Sequence, residues 1–561
     1  MATDAAFGST SRSGTGTATP ENYFKNCAAS VEINDTCVVT ADPKFADAAT
    51  GDLTPQADSE LVDAGKAGET TAAYDVYGGE RVFGAAIDIG AAECLADLSP
   101  RLGEHDVTVA DGKVCVDVSL LKESAIVDMK LRIYRDGVVL EEKPVGVAYE
   151  TSLHLEYDEP GYYAVKYMAY GAEDDVYEGV IGDGYLAGDE TNVRIVTPTG
   201  PMTLQEAIYD LGTAGGKVYV DPGTYSSATP IDAYVISNAV TVIGRATDPR
   251  QVKLVHKSGV NSRIIRLSHA QAALRNVWVS GGYIFSESGA SPAGNDGGGV
   301  YITSKGGTVE NCVISDGVTL VYAGGGGNVY MLGGRVANCL IEGGYSCNKG
   351  DDPWSFSGSS VCLHGGLMEN CVIRKAVGHE ESGSATRLGG APIMLYDTAK
   401  LLNCTVADCL GWQAGAVLVR RNGKTIPSVV NCAFYNNKAL IADAVESQSV
   451  YKESTHRSNT KTTTPEEARS AFDHCAATHK INDSCIAPTD FGFADAANGD
   501  YSLTSGSPLV NVGADYTATG GVSAYDFLGA TRVVKVVDIG ACECPKVKLK
   551  PRLAGTFIFI R

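Results

Sequence analysis

The sequence predicts an all-β chain, its larger part a solenoid of stacked coils and its smaller part a β-sandwich. Three observations carry that prediction. The stretch GGTVENCVISDG from Gly306 returns as GGRVANCLIEGG from Gly333 and GGLMENCVIRKA from Gly365, then fades through TAKLLNCTVADC from Thr398 and IPSVVNCAFYNN from Ile426. Recurrence at such a spacing is the mark of a solenoid. Residues of about 104–180 instead alternate apolar and polar in period two, as half-buried strands do. The 65 glycines and only 20% charged residues describe turns and strands, without the strict Gly period of collagen.

In chain order, residues 1–22 are rich in Ser, Thr and Gly and are expected to be a flexible lead-in, since they lack the basic start and apolar core of a secretory leader. Residues 23–97 repeat residues 471–545. FKNCAASVEINDTCVVTADPKFADAATGDL from Phe24 matches FDHCAATHKINDSCIAPTDFGFADAANGDY from Phe472, SELVDAG from Ser59 matches SPLVNVG from Ser507, and IDIGAAEC from Ile87 matches VDIGACEC from Val537. The second copy follows the repeats and closes them. The first follows only the lead-in, so it is expected to end another such array or to dock on another surface.

Residues 98–190 carry KVCVDVSL from Lys113, MKLRIYRDGVVLEEKPV from Met129 and SLHLEYDEPGYYAVKYMAY from Ser152. Asp136-Gly137 is a hairpin signal and Pro160-Gly161 marks another turn. Short strands separated by turns predict a small immunoglobulin-like sandwich, read as a spacer; its one cysteine, Cys115, leaves it without an intersheet disulfide.

Residues 191–545 form the solenoid. TLQEAIYDL, Thr203 to Leu211, has apolar residues at helical spacing, with Thr203 and Glu206 placed for a capping box. GGKVYVDPGTY from Gly215 and AVTVIGR from Ala239 follow. This order resembles the opening of right-handed parallel β-helices of the pectin-lyase-like superfamily, which implies that fold with a short helix over its first coil. Each later coil has a glycine-led strand (GGGVYI from Gly297, GGNVYM from Gly326, GSSVCL from Gly358, GGAPIML from Gly389, AGAVLV from Ala414) and an asparagine strand. Asn276, Asn311, Asn338, Asn370, Asn403 and Asn431 recur at intervals of 27 to 35 residues, one per coil. With coils about 4.8 Å apart, these asparagines are expected to stack inward as a structural amide ladder. Cys312, Cys339, Cys371, Cys404 and Cys432 would form a second buried line. Metal binding is the other reading of those cysteines, but zinc sites use close pairs and these lie a coil apart, so no metal is expected.

The segment FADAANGDYSLTSGSPLVNVG…VDIGACE resembles the carboxy-terminal part of bacterial surface β-helix proteins with a choice-of-anchor Q domain. The glycine-led and asparagine motifs are also similar to those of polymorphic outer-membrane surface proteins. Both resemblances imply an extracellular or cell-surface protein of bacterial type. Cys27 with Cys37, and Cys475 with Cys485, keep one short spacing in both copies. Each pair is read as a local disulfide, which favours an oxidising location, with paired reduced thiols as the alternative.

Insertions gather between each asparagine strand and the next glycine-led strand: GGYIFSESGASPAGND from Gly281, GGYSCNKGDDPWSFSG from Gly343, KAVGHEESGSATRL from Lys375 and ADCLGWQA from Ala407. A variable edge is where solenoids build binding surfaces. Trp354, Trp412, Tyr283, Phe285, Tyr345 and Phe356 lie there with Asp351, Asp352, Glu380 and Glu381. Aromatic faces beside carboxylates suit a sugar chain. The plainer alternative is that the rings pack the loops onto the coils.

The superfamily resemblance implies two candidate chemistries: proton abstraction by Arg or Lys with calcium, and hydrolysis by paired carboxylates. Arg374, Lys375, His379 and Arg420 are the candidate catalytic residues. The polygalacturonase motif set is not reproduced; VGHEE at Val377 and DDP at Asp351 echo it in the wrong order. No acidic trio on neighbouring strands supports calcium, so no cofactor is expected, with calcium as the open alternative. The expected function is therefore non-catalytic binding or display toward a glycan, with a polysaccharide lyase or hydrolase and a rigid stalk as competing readings.

A net charge of −22 argues against nucleic acid, whose phosphates need Lys and Arg to displace counterions. No apolar run is long enough to cross a bilayer. The tail, residues 546–561, ends in GTFIFIR, an apolar strand-former standing where a sandwich strand follows PRL in the first copy. The tail is read either as a stub of a further module, in a longer multi-module chain, or as a genuine end that pairs with another strand.

Overall fold

The repeated asparagines are turn residues first. All six take φ between 48° and 55°, the left-handed region that asparagine tolerates better than most residues bearing a β-carbon. Each turns the chain from one short strand into the next, as Asn311 does between Thr308–Glu310 and Val313–Ser315. A second column of left-handed residues follows a strand later: Gly281, Asp316, Gly343, Lys375, Asp408 and Asn436, with φ between 48° and 77°. Two fixed bends per coil keep successive coils in register.

The computed structural model describes residues 28–29, 38–39, 43–47, 52–55, 59–62, 64, 89, 101–121, 126–145, 151–171, 176–188, 190–285, 296–321, 325–348, 358–378, 391–411, 414–420, 425–439, 451–453, 469–514, 523–532 and 536–544. The chain forms two units. One comprises residues 1–104, 119–128 and 147–151; the other comprises residues 105–118, 129–146 and 152–561.

In the larger unit, coils pair strand on strand in parallel and build three long sheets. Sheet I has ten strands, from Val193–Val196 to Phe472–Asp473, and sheet II has nine, from Gly223–Ser227 to Ala476–Ala477. Sheet III holds the glycine-led strands, from Ile231–Ile236 through Val300–Ile302 to Tyr451–Glu453. The corner strands Tyr283–Phe285, Val318–Val321 and Tyr345–Asn348 join sheet III at one side. This is a parallel β-helix.

Stacked apolar columns fill its interior. In sheet I they run Val242, Leu274, Val309, Val336, Met368, Leu401, Val429, and in sheet II Leu254, Val279, Ile314, Ile341, Ile373, Val406, Phe434. All are essentially inaccessible to solvent, and each contributes roughly 1.5–3 kcal/mol of burial. The helix Leu204–Asp210 covers the first coil with Leu204, Ala207 and Ile208 buried, and Thr203 and Glu206 close the expected capping box.

The cysteine line is internal as expected: Cys312, Cys339, Cys371, Cys404 and Cys432 all belong to this core. The asparagine ladder differs from expectation. The Asn backbone N–H groups do climb the stack, Asn311 to Ala337 O and Asn338 to Glu369 O. Among the described residues, however, the amide side chains bond to other backbone groups rather than to one another. Asn276 donates to Gly244 O and Ala246 O, Asn311 to Gly137 O, Asn370 to Tyr525 O and Asn431 to Ala514 O. The reason is strand alternation: the following cysteine points inward, so the asparagine points out.

Two of those amides, Asn370 and Asn431, meet the closing segment. The described residues of 491–544 run back along the outside of sheet II, from Ala433 and Ala476 to Val313 and Trp278. Tyr501, Ala541 and Cys542 bury against the outward side chains Val313, Leu340, Val372 and Ala407. The segment is a strap along the β-helix as well as an end cap. Its own turns are held by a buried charge network. Arg532 lies 3.2 Å from Glu543; Asp526 accepts the Ala530 and Glu543 N–H groups, and Asp538 accepts those of Asn511 and Cys544.

Residues 101–186 supply seven strands in two sheets. Arg101–Ala110, Lys113–Leu121 and Thr151–Tyr157 make the smaller; Ile126–Arg135, Val138–Pro144, Gly161–Gly171 and Val176–Leu186 make the larger. Asp136 and Gly137 both take positive φ, 54° and 75°, as the hairpin signal requires. The Asp136 carboxylate then reaches the first coils, accepting from Tyr219 Oη at 2.9 Å and pairing with Lys217 Nζ at 2.6 Å.

Candidate functional site

Packing decides which faces of the β-helix a ligand can reach. Sheet II lies beneath the strap. Sheet I carries an ion-pair ladder, Arg275–Glu310–Arg335–Glu369, that ends on Ser523 of the strap. Sheet III is the face from whose side the variable loops spring.

Its outward column in register is Arg266, Tyr301, Tyr330, Cys362, Met394, Leu418. Tyr301, Tyr330, His364 and Tyr396 form a continuous row of rings, with centroids 5.7, 5.3 and 4.1 Å apart, the last pair stacked within 8°. Tyr301 and Tyr330 are register partners on neighbouring coils, and His364 and Tyr396 directly follow the paired Leu363 and Leu395. His364, by contrast, stands two residues past Cys362, the register partner of Tyr330.

A charged cluster ends the row. Arg263, only 1% exposed, pairs through Nε with Asp232 Oδ1 at 2.6 Å and donates from Nη1 to the Asp296 backbone carbonyl at 2.6 Å. Its guanidinium stands 4.6 Å from the Tyr301 ring centroid, a cation–π distance. Arg266 Nη1 is 3.2 Å from Asp232 Oδ2, with its side chain 41% exposed. Burial pushes the Asp296 carboxyl up to about 6, against the opposing pull of Arg263 and of hydrogen bonds from the Gly325 N–H and the Tyr330 hydroxyl. Asp296 Oδ1 is buried with no hydrogen-bond partner, and such an atom costs free energy until something donates to it. Within this patch the Arg266 guanidinium is the half-exposed group, whereas Tyr301 and Tyr396 are each only 8% exposed and Asp296 Oδ1 is closed to solvent.

The structure disperses several of the residues picked out from sequence. Arg374 lies on sheet II under the strap, donating to Gly499 O at 3.3 Å and pairing with Glu342 at 3.3 Å. Lys375 is a bend residue, φ 55°, held 3.2 Å from the same glutamate. Arg420 ends a sheet III strand opposite Tyr396. Arg374 and Lys375 therefore share no site with Arg420, and their charges serve coil-to-coil pairing. Tyr345 is a partly buried corner residue in register with Val318. Tyr283 and Phe285 stack at the same corner with centroids 6.2 Å apart. Asp351, Asp352, Trp354, Phe356, His379, Glu380, Glu381 and Trp412 lie outside the described residues, as do Cys27 and Cys37.

The expected Cys475–Cys485 disulfide is absent: both are free, buried thiols. Cys475 continues the internal cysteine column beyond Cys432, its thiol turned to Val429 O and Asp473 O. A hydrogen bond from Cys475 holds the Cys485 thiol down at about 7.

The sheet III cluster escaped sequence reasoning because Asp232, Arg263 and Asp296 sit on successive coils, each about 32 residues from the last. Laying Ile231–Ile236 and Ser262–Leu267 in register would have found the Asp232–Arg263 pair.

No family model matches the sequence, and no curated protein does. Among solved structures, a pectin methylesterase from Aspergillus niger in deglycosylated form is similar over 50% of this chain and 97% of its own, at 14% identity and TM-score 0.26. The catalytic domain of a GH87 alpha-1,3-glucanase is similar over 61% and 91%, at 11% identity and TM-score 0.22. Pectate lyase PelI from Erwinia chrysanthemi is similar over 60% and 89%, at 10% identity and TM-score 0.15. The fold itself stands on the three parallel sheets. No helix among the described residues is long and apolar enough to cross a membrane.

Proposed function

We propose that this chain is an extracellular or cell-surface protein of bacterial type that binds a glycan along sheet III and the adjoining loop edge, without cleaving it. The supporting observation is the ring row Tyr301–Tyr330–His364–Tyr396 ending on the Arg263–Asp232–Asp296 cluster. Sugar C–H faces stack on rings while hydroxyls bond to carboxylate and guanidinium. In this reading Trp354, Trp412, Phe356, Asp351 and Asp352 extend the surface into the loops, and the seven-strand module before the β-helix is an immunoglobulin-like spacer. No cofactor is invoked.

Affinity electrophoresis through neutral and uronic-acid polymers tests it. Retardation should fall at least fivefold on Arg266→Ala and on the pair Trp354→Ala with Trp412→Ala. Unchanged mobility of the parent protein on every polymer removes the glycan reading.

A second reading, a polysaccharide lyase or hydrolase, is favoured by one feature: the raised Asp296 carboxyl beside an ion-paired Asp232. Two carboxyls in unlike environments are what acid–base cleavage requires. New reducing ends or unsaturated products from the parent protein, lost in Asp296→Asn, would replace the binding reading with this one.

A further inference from the structure

Over its described residues, the first copy of the closing segment repeats hydrogen bonds and pairings of the second. In the second copy Ser507 Oγ donates to Phe491 O at 2.6 Å and accepts from Leu509 N at 3.2 Å; in the first, Ser59 Oγ donates to Pro43 O at 2.6 Å and accepts from Leu61 N at 3.2 Å. Val510 N–H meets Ser507 O and Ile539 N–H meets Leu509 O; Val62 N–H meets Ser59 O and Ile89 N–H meets Leu61 O. The bulged hairpin pairs Phe493 with Leu503 and Asp495 with Asp500; its counterpart pairs Phe45 with Pro55 and Asp47 with Asp52. A parallel contact joins Ala476 to Ile486, and another joins Ala28 to Val38. Even the left-handed residue before each hairpin recurs, Gly492 at φ 65° and Lys44 at φ 47°.

The charge network that locks the second copy is also written in the first. Asp526 and Arg532 correspond to Asp75 and Arg81 with the same spacing, within AYDFLGATR and AYDVYGGER; Asp538 and Glu543 correspond to Asp88 and Glu93. The residues that bury against sheet II keep their apolar character. Phe493, Tyr501, Phe527, Leu528, Ala541 and Cys542 become Phe45, Leu53, Val76, Tyr77, Ala91 and Ala92. A segment that needed only to fold upon itself would not need this outward set.

We propose that residues 23–97 are a second strap, built to clasp the outer face of sheet II of another parallel β-helix made of the same asparagine–cysteine coils. The second copy defines the partner's chemistry. It is a column of small aliphatic side chains at the strand spacing, like Val313, Leu340, Val372 and Ala407, flanked by outward amides of left-handed asparagines. The β-helix of this same chain has that face occupied by its own strap, so the partner is a further array. The proposal is independent of the glycan reading.

Transplantation tests it. In a full-length chimera, residues 471–545 are replaced by residues 23–97, and hydrogen exchange is followed by mass spectrometry. In the native strap Gly540 N–H bonds to Asn431 O and Ala541 N–H to Thr405 Oγ1. The corresponding Gly90 and Ala91 amides should exchange at least tenfold more slowly in the transplanted position than in their N-terminal one. A second chimera adds Leu53→Tyr, returning the hydroxyl that donates to Asp408 at 2.7 Å in the native strap. Slowed exchange in either chimera supports the clasp; equal exchange in both positions, with and without Leu53→Tyr, overturns it.

Discussion

The Asn311 side chain donates to the Gly137 carbonyl at 2.8 Å, joining the second asparagine bend to a hairpin 174 residues upstream. A residue chosen for its backbone thus acquires a second task, satisfying a carbonyl of whatever lies against the bend. The two tasks can be separated by mutation.

Asn370→Gly keeps the left-handed bend and removes only the amide that Tyr525 O accepts, at an expected cost of about 1–2 kcal/mol. Asn370→Ala should cost about 1 kcal/mol more, because alanine is strained at φ 51°. Denaturant unfolding of the two variants checks the order; equal losses would leave the bend without energetic weight.

Asp136→Ala should destabilise the protein by about 2–3 kcal/mol. It strips Tyr219 of its acceptor and leaves Lys217 unpaired, a loss moderated by the lysine's 40% exposure. Asp136→Asn retains an acceptor for Tyr219 and a residue suited to positive φ, so it should cost about half as much. Thermal melts of both variants read the difference.

Stability should fall as pH rises from about 5 to 8. Burial, outweighing the pull of Arg532, raises the folded Glu543 carboxyl from its ordinary 4.5 to about 8, and burial raises Asp526 and Asp538 as well. A raised acid binds its proton more tightly in the folded than in the unfolded chain, so its contribution is greatest below the unfolded value and is lost through the folded one. Melting temperatures against pH should slope downward in that window, and Glu543→Gln should flatten the slope. A profile rising toward pH 8 contradicts the assignment.

Glutathione disulfide should convert Cys475 and Cys485 to a disulfide, read as the loss of two hydrogens from the peptide that holds both. The thiolate of Cys485, held near 7, attacks the disulfide sulfur, and Cys475 displaces the second glutathione. Closing a loop of this size should stabilise the chain by about 2–3 kcal/mol. Retention of both thiols after prolonged exposure would show that burial blocks the exchange.

Much of this architecture was legible because each element is local. The capping box at Thr203 and Glu206, the Asp136-Gly137 hairpin and the inward cysteines follow from residues a few positions apart. The asparagines announced their recurrence but not their direction, since that depends on which neighbour of the pair faces the core. The strap's path was hidden because Tyr501, Ala541 and Cys542 look like ordinary apolar residues until sheet II lies beneath them. Arg374 misled for the same reason: its distant partner Gly499 O is 125 residues away. The sheet III cluster is assembled from three coils, and no single stretch contains it.

The second bend column, from Gly281 to Asn436, also governs how such a chain can diverge. Everything before that corner is pinned by strand pairing, and the inserted lengths of chain all come after it. Residues can be added or removed there without shifting the coils above or below. An ancestor could therefore have altered its recognition surface one floor at a time while the frame stayed unchanged, and an engineer could graft foreign peptides at the same positions.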